Sequence, residues 1–274
     1  MKGRRIVAGI LTAGVLAGCS VEGGSAATNP SPNTSPGIVP TAELRGFAIG
    51  DGWNDKTETE IAALAKRART IGSQVLRLDV EWGRVRPNQQ GWYNWTEVDR
   101  NLNTAKKTGQ LVMATLAYAP EWARDDACRD EFTCAPKDPE SYNDFVNEFA
   151  HHVAEADLEE TVAYIEIWNE QNYGSIDPEK YATMLALAGQ SIHMVLQDAK
   201  VGFGGMAPNA QNEGSAQTAA TYLKAVNKAL RDNEKKQPTA VYDAVAFHPY
   251  SYPAKPGQPY TWNGITQTEG DAST

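Results

Sequence analysis

Short apolar runs alternate with amphipathic helical patterns along most of this chain, and this alternation constrains the fold more than any other feature of the sequence. From Leu44 onward, each apolar run of strand length is followed by a segment with apolar residues at helical spacing. Such βα units predict an α/β fold built on a parallel sheet. We expect six strands, at Gly46–Ile49, Val75–Val80, Leu111–Tyr118, Val162–Trp168, Val201–Met206 and Val241–Phe247.

The segments between these runs carry the start signals of helices. Thr57 and Glu60 have the spacing of a capping box, in which each side chain bonds the backbone N–H of the other residue. Asp138 and Asp177 are each followed by proline, which favours an N-cap with proline in the first helical turn. The helices are expected to begin near Thr57, Glu97, Asp138, Asp177 and Ala216.

Polar and aromatic residues gather just after the predicted strand ends, which separates a barrel from an open doubly wound sheet. No glycine-rich nucleotide fingerprint or phosphate loop follows a strand. In a barrel, the carboxyl ends of all strands face one mouth, where active sites lie. The pattern therefore favours a TIM (β/α)8-type barrel. The residues at these ends include Arg77, Asp79, Glu81, Trp82, Tyr118, Trp122, Trp168, Asn169, Glu170, His248 and Tyr250.

The sharpest motif is Ile165–Asn172, with the sequence IEIWNEQN. If the strand alternates regularly, Glu166, Trp168 and Glu170 share one face and Asn169 lies on the other. A charged residue at the end of an apolar strand is unfavourable unless it is solvated or has a role. Glu170 is therefore either solvated or functional, and we interpret Glu166 as an inward-pointing barrel residue in preference to a catalytic one.

Three segments, in chain order, carry a resemblance to a known clan of enzymes. Val75–Trp82, Asn169-Glu170 and Phe247–Tyr250 resemble the second, fourth and sixth strands of the retaining glycoside hydrolases with (β/α)8 barrels. Within that clan the chain most resembles family 39, the β-xylosidase and bacterial exopolysaccharide hydrolase group. The resemblance extends from about Gly46 to Trp262.

The resemblance implies roles for individual residues. Glu170 would be the acid/base group, and Asn169 would hydrogen-bond the 2-hydroxyl of the reacting sugar. Arg77 would keep the nucleophilic carboxylate ionised, while His248 and Tyr250 would border the sugar. A retaining mechanism needs that second carboxylate about 5 Å from the first. No cofactor is implied, because two carboxyl groups carry out the chemistry.

Several residues of the mouth have two possible roles. Trp53, Trp82, Trp122 and Trp168 either offer flat faces to sugar rings or belong to the core. Asp79 and Glu81 either take part in function or form ion pairs with nearby arginines. The predicted substrate-binding residues are Arg77, Trp82, Tyr118, Trp122, Trp168, Asn169, His248 and Tyr250.

The N-terminal region predicts export and a lipid anchor. Residues 1–18 combine basic residues with a short apolar run, the pattern of a secretory signal peptide. Leu16-Ala17-Gly18-Cys19 resembles a bacterial lipobox, which implies cleavage before Cys19 and its acylation. Residues 19–40 are rich in Gly, Ser, Asn, Thr and Pro and are expected to be a disordered tether. The catalytic domain is expected at 41–274, outside the cytoplasm of a bacterial cell and anchored to its membrane.

The remaining cysteines predict a disulfide, and the net charge indicates which classes of binding partner are compatible with the chain. Cys128 and Cys134 flank a short polar loop, and an oxidising compartment would allow them to form a disulfide. The formal charge of −9 argues against nucleic acid as a partner and is compatible with a neutral oligosaccharide or polysaccharide. No metal site is predicted, and we expect a monomer.

The chain is expected to contain about six of the eight βα units of a complete barrel. Eight units usually take about 250 residues. Glu269 superficially resembles the nucleophile that ends the seventh strand, but a proline-rich stretch after Tyr250 leaves no crossover helix before it. A truncated C-terminus and exposed strand edges are therefore expected.

Three functions are compatible with these observations. The first is a retaining β-glycosidase that uses Glu170 and, as a candidate nucleophile, Glu269. The second is a catalytically disabled, sugar-binding surface lipoprotein. The third is a metal-dependent barrel hydrolase using Asp79, Glu81 and His248, which lack a recognisable ligand spacing.

Overall fold

The structure is a computed structural model that describes residues 44–207, 217–234 and 241–248, with the backbone of 260–262 and 265–267. All of them belong to the second of the two units into which the chain divides, Val39–Thr274. None of the helices in these ranges combines the length and the apolar character that crossing a membrane requires. The predicted signal peptide, Cys19 and the tether lie outside the described residues.

Six of the described strands follow the predicted rhythm closely. They are β1 (Gly46–Gly50), β2 (Val75–Glu81), β3 (Leu111–Ala117), β4 (Val162–Asn169), β5 (Lys200–Met206) and β6 (Ala244–Phe247). Two short strands, β7 (Tyr260–Trp262) and β8 (Ile265–Gln267), come after them.

The α-helices of the described residues are α1 (Glu58–Thr70), α2 (Trp82–Val85), α3 (Thr96–Thr108), α4 (Pro139–Glu155), α5 (Pro178–Val195) and α6 (Ala219–Glu234). Three of them, α1, α4 and α5, begin at the caps that the sequence indicated. Both halves of the Thr57–Glu60 capping box are formed at the start of α1. The side chains of Asp138 and Asp177 accept backbone N–H groups in the first turns of α4 and α5. Each cap supplies acceptors to N–H groups that have no partner within the helix.

Strands β1 to β6 form one parallel sheet in chain order, and the sheet curls into a half-barrel. In-order parallel pairing with helical crossovers is the pattern of a TIM-type barrel, in contrast to the order reversal of a doubly wound sheet. The prediction of an incomplete (β/α) barrel is therefore confirmed for the described residues. The side chains of each strand alternate between the interior of the curve and the helices outside it.

The hydrophobic core lies between the convex side of the sheet and the helices. On β2, Leu76, Leu78 and Val80 are buried against the helix layer, while the intervening Arg77 and Asp79 are only partly buried. This alternation leaves polar residues to line the concave side. Aliphatic and aromatic residues of α4 and α5 complete the core, among them Tyr142, Phe145, Phe149, Tyr181 and Leu185.

Strands β1 and β6 are the edges of the six-stranded sheet, and both are more exposed than the strands between them. Phe47 on β1 is 44% exposed and Val245 on β6 is 46% exposed. Strands β7 and β8 pair antiparallel with each other, with Tyr260 opposite Gln267. The segment that contains Glu269 was expected to resemble the end of a seventh barrel strand only superficially. In the structure, residues 265–267 pair with 260–262 in a separate two-stranded sheet.

Candidate functional site

Glu166 on β4 is a buried carboxylate at the centre of a hydrogen-bond network, with only 1% of its surface exposed. Arg77 Nε and Thr115 Oγ1 donate to Glu166 Oε2 over 2.7 Å and 2.6 Å. The backbone N–H of Gly205 donates to Oε1 over 2.7 Å. The donors come from β2, β3 and β5, so the network ties four strands together around one compensated charge. Glu166 points inward, as its position in the motif suggested.

Arg77 also orients Asn169 at the end of β4. Its Nη2 donates to the Asn169 side-chain oxygen over 2.7 Å. The amide nitrogen of Asn169 then donates to the hydroxyl oxygen of Tyr118 over 2.8 Å. Because the Tyr118 hydroxyl accepts this bond, its own proton remains available for a ligand. Burial raises the pKa of Tyr118, although the bond from Asn169 acts against this, so the phenol stays protonated at neutral pH.

The end of β4 does not alternate regularly, and this corrects the expectation that Asn169 lies opposite Glu166. Trp168 and Glu170 adopt positive φ angles of 67° and 50°. Such angles are unusual for residues other than glycine and occur where the surroundings enforce them. The break at Trp168 brings Asn169 to the side of Glu166, where both contact Arg77. It also directs the Trp168 indole into the core, edge-on to the Tyr142 ring at 5.7 Å.

Glu170 meets His248 across the mouth of the half-barrel. His248 Nδ1 lies 2.8 Å from Glu170 Oε1, and the two side chains are 17% and 30% exposed. Glu170 follows β4 and His248 follows β6, so the contact spans two strand ends on either side of β5. The remaining exposure of Glu170 leaves the carboxyl group accessible to a ligand, while the contact with the imidazole orients it.

Gly205 on β5 makes the approach of His248 possible. A Cβ atom at this position would lie 2.2 Å from His248 Nε2, much closer than any real contact. The backbone of Gly205 also connects the Glu166 carboxylate to the backbone of Glu170, because its N–H donates to Glu166 and its carbonyl accepts from the Glu170 N–H over 2.8 Å. Any larger residue at this point would therefore force the His248 ring to move away from its present place.

A groove opens beside the end of β2. Its volume is ≈ 530 Å³, and Asp79, Glu81 and Asn101 are among the residues that line it. Neither Glu170 nor His248 lines this groove, so the groove and the chemistry of the β4 end do not coincide. Asp79 Oδ1 lies 3.5 Å from Arg77 Nη1, which agrees with the ion-pair interpretation of Asp79. Burial raises the pKa of Glu81, with nearby Arg84 acting against it.

Asp79→Asn is expected to stabilise the protein increasingly as pH rises. Burial raises the pKa of Asp79 above its ordinary 3.8; Arg77 lowers it, and Glu166 and Asp51 add to the rise. The contribution of such a group to stability is full below its unfolded pKa and is lost as pH rises through the folded one. Urea unfolding at pH 4 and pH 8 should give a larger stability gain for the variant at pH 8. An equal or smaller gain there would contradict the stated direction of the pKa shift.

The predicted disulfide between Cys128 and Cys134 is confirmed. The predicted tryptophan platforms lie mainly in the core. Trp53 is 2% exposed, and Trp82 and Trp168 have no exposed surface, so none of the three presents a face to solvent. Trp122 is half-buried and donates its Nε1–H to the Arg86 carbonyl over 3.3 Å. Tyr250, Glu269 and Cys19 lie outside the described residues, and their roles remain predictions.

The structure brings Arg77, Tyr118, Asn169, Glu170 and His248 together as one cluster. Sequence reasoning missed three neighbours of this cluster: Thr115, Gly205 and Phe132. Thr115 faces inward by simple alternation on β3, so a search for polar inward residues in apolar strands would have found it. No comparable signal marks Gly205 or Phe132, because their importance depends on contacts with residues distant in sequence. Among the described residues, no group of three or more His, Cys, Asp or Glu is arranged to hold a metal ion.

The fold is the one shared by the (β/α)-barrel glycoside hydrolases. A family 39 glycoside hydrolase from the gut symbiont Bacteroides cellulosilyticus matches with a TM-score of 0.53 and 21% identity, over 74% of this chain and 37% of that one. A monomeric β-xylosidase from Caulobacter crescentus matches with a TM-score of 0.56 and 20% identity, over 81% and 44% of the two chains. The family 39 enzyme from Xanthomonas axonopodis gives 0.55 and 18%, over 81% and 43%.

These similarities establish the fold, and the resemblance to family 39 is confirmed at that level. The chain spans less than half the length of each of the three structures. No protein-family model matches the sequence, and no curated protein matches it either.

Proposed function

We propose that the protein is a retaining glycoside hydrolase that acts on a β-linked oligosaccharide or polysaccharide. The observation that carries this proposal is the pairing of Glu170 Oε1 with His248 Nδ1 at 2.8 Å, beside an Asn169 that Arg77 and Tyr118 hold in one orientation. An accessible carboxyl group next to a fixed amide at the end of a fourth barrel strand suits protonation of a glycosidic oxygen. The shared fold of known glycosidases supports the same class.

The residues of the cluster have complementary roles in this mechanism. Glu170 donates its proton to the leaving oxygen and then, as a carboxylate, takes a proton from the incoming water. His248 orients the carboxyl group through both steps. Asn169 hydrogen-bonds the sugar 2-hydroxyl, and this contact strengthens as positive charge develops on the ring. The nucleophile must be a second carboxylate, for which Glu269 is the candidate in the sequence.

A second candidate function is sugar binding without turnover, and the burial and hydrogen bonding of Glu166 favour it. Glu166 accepts three hydrogen bonds and is almost fully buried, so it is not free to attack a sugar. If Glu269 does not reach the mouth, Glu170 could assist binding but could not complete a retaining reaction.

Hydrolysis of nitrophenyl β-xyloside and β-glucoside by the full chain, followed by proton NMR, tests the proposal. We expect the β-anomer as the first product, because two successive displacements retain configuration. A first product of α configuration would rule out the retaining mechanism. Saturable binding of xylotriose without turnover would favour the second candidate, and loss of activity with a chelator would favour a metal-dependent hydrolase.

We further propose that the protein is a lipoprotein, held at the outer side of the bacterial cell membrane through Cys19. This rests on the signal-like residues 1–18 and the lipobox-like sequence before Cys19. Replacing Cys19 by serine is the direct test, with retention in the membrane fraction as the measurement.

A further inference from the structure

The loop that follows β3 is fixed by a disulfide and by hydrogen bonds at its base. The disulfide between Cys128 and Cys134 closes it, and Cys134 is 1% exposed. At its base, the Asp125 N–H donates to the Ala135 carbonyl over 2.9 Å, and Lys180 Nζ of α5 bonds Asp125 Oδ2 over 2.9 Å. A covalent closure combined with these contacts restricts the conformations of the residues in the loop. Whatever side chain the loop carries is therefore presented in a defined place.

Phe132, inside the closed loop, is an aromatic residue with 53% of its surface exposed. Its ring lies against the ring of Tyr118, with centroids 4.5 Å apart and planes inclined by 49°. The Phe132 ring is therefore in contact with Tyr118, while about half of the residue remains exposed to water. Leaving a phenyl ring half exposed forfeits much of the stabilisation that burial would supply.

Contacts connect this aromatic pair directly to the proposed catalytic residue. The Tyr118 hydroxyl accepts from the amide of Asn169 over 2.8 Å, and Asn169 immediately precedes Glu170. Phe132 thus contacts Tyr118, and Tyr118 in turn contacts Asn169 at the end of β4. The Tyr118 hydroxyl proton is free of that bond and can be donated to a ligand oxygen. An exposed apolar ring beside a hydroxyl donor is complementary to a pyranose, which has apolar C–H faces and hydroxyl edges.

We propose that Phe132 and Tyr118 form a sugar subsite for the unit adjoining the reacting one, with the disulfide-closed loop as its support. The ligand class is a neutral, β-linked oligosaccharide of at least two pyranose units. This inference rests on the proposed function for its ligand class, but it requires only binding and not turnover. Phe132 then determines how strongly the protein prefers longer oligosaccharides to single sugars.

Calorimetric titration of xylotriose and xylose tests this subsite, with the full chain carrying Glu170→Gln so that no hydrolysis interferes. Adding Phe132→Ala to that variant is expected to weaken xylotriose binding about tenfold, because an aromatic contact is lost, and to leave xylose binding unchanged. Met194→Ala is the control. Met194 is 64% exposed at the end of α5 that leads into the start of β5, away from the mouth, so its truncation should leave both affinities unchanged. Reduction of the disulfide is expected to weaken xylotriose binding in the same direction as Phe132→Ala.

The outcomes separate this inference from the proposed function. Equal affinities for xylotriose with and without Phe132 would overturn the subsite, whether or not the wild-type chain hydrolyses sugars. A loss confined to xylotriose supports the subsite even if the wild-type chain shows no turnover, in which case only the proposed hydrolase activity fails. No binding of xylotriose or cellotriose by the chain with Phe132 intact would overturn the subsite as well. Affinity unchanged by reduction would overturn the supporting role of the disulfide.

Discussion

Glu170→Gln is expected to lower the rate of hydrolysis of a nitrophenyl β-xyloside by about 10²- to 10⁴-fold. An amide has the shape of the acid but cannot deliver a proton to the leaving oxygen or take one from water. The contact between residue 170 and His248 can persist in the variant, because an amide also hydrogen-bonds to an imidazole. The measurement is kcat and KM for wild-type and variant chains, with circular dichroism to establish that both are folded.

The leaving group separates loss of proton transfer from general damage to the site. A dinitrophenyl xyloside departs as a stable anion and needs little protonation, so the first displacement should lose less rate with this substrate. Glu160→Gln is the matched control, because Glu160 is exposed just before β4 and away from the mouth. Undiminished activity of Glu170→Gln would remove Glu170 from the mechanism. An equal loss of kcat/KM, which reports the first displacement, with both substrates would point to a structural effect in place of acid catalysis.

Arg77→Met is expected to reduce the free energy of unfolding by about 3–5 kcal/mol. The substitution retains an apolar stem of similar length but leaves Glu166 with its charge buried and its strongest partner removed. Thr115 and Gly205 would still donate to Glu166, but neither carries a compensating charge. Asn169 would also lose the donor that holds its side-chain oxygen. Urea unfolding of the wild-type and variant chains at pH 7 gives the difference.

Arg84→Met provides the matched control for Arg77→Met. Arg84 forms an ion pair with Glu97 at 2.9 Å, but the two side chains are 41% and 40% exposed. Exposed pairs of this kind contribute about 0–1 kcal/mol because water screens them and both side chains lose entropy. A double variant, Arg77→Met with Glu166→Gln, should recover part of the stability, since the unpaired charge is gone. If Arg77→Met and Arg84→Met lower the free energy of unfolding by equally small amounts, the buried Arg77–Glu166 pair is no more stabilising than an exposed one.

Much of the fold was predictable because the signals are local. The strands β1 to β5 agree with expectation to within one residue at each end, whereas β6 begins three residues later than expected. Thr57, Asp138 and Asp177 marked helix starts because capping depends on side chains within three positions of the cap. The short helix α2 and the β7–β8 hairpin were missed. Four residues are too few for a periodic pattern, and the hairpin depends on which segments pair.

The candidate site was predictable in its residue types but not in its geometry. Alternation on β4 predicted the wrong face for Asn169, because the rule assumes extended backbone throughout. The positive φ of Trp168 breaks that rule, and nothing in the sequence marks a tryptophan for such a conformation. Packing of its indole against Tyr118 and Tyr142 accompanies the break. The same packing places Trp168 in the core, which was one of the two roles left open for it, and excludes the role of a sugar platform.

The sequence by itself determined the βα rhythm, the caps and the polar residues at the strand ends, since each depends on side chains close together in the chain. Only the tertiary structure decided which of these side chains contact each other. Arg77 meets Glu166 from 89 positions away, and Glu170 meets His248 from 78. Such pairs depend on strand register, on one backbone break and on a glycine small enough to let a ring approach. These are properties of several strands packed together, and no local pattern encodes them.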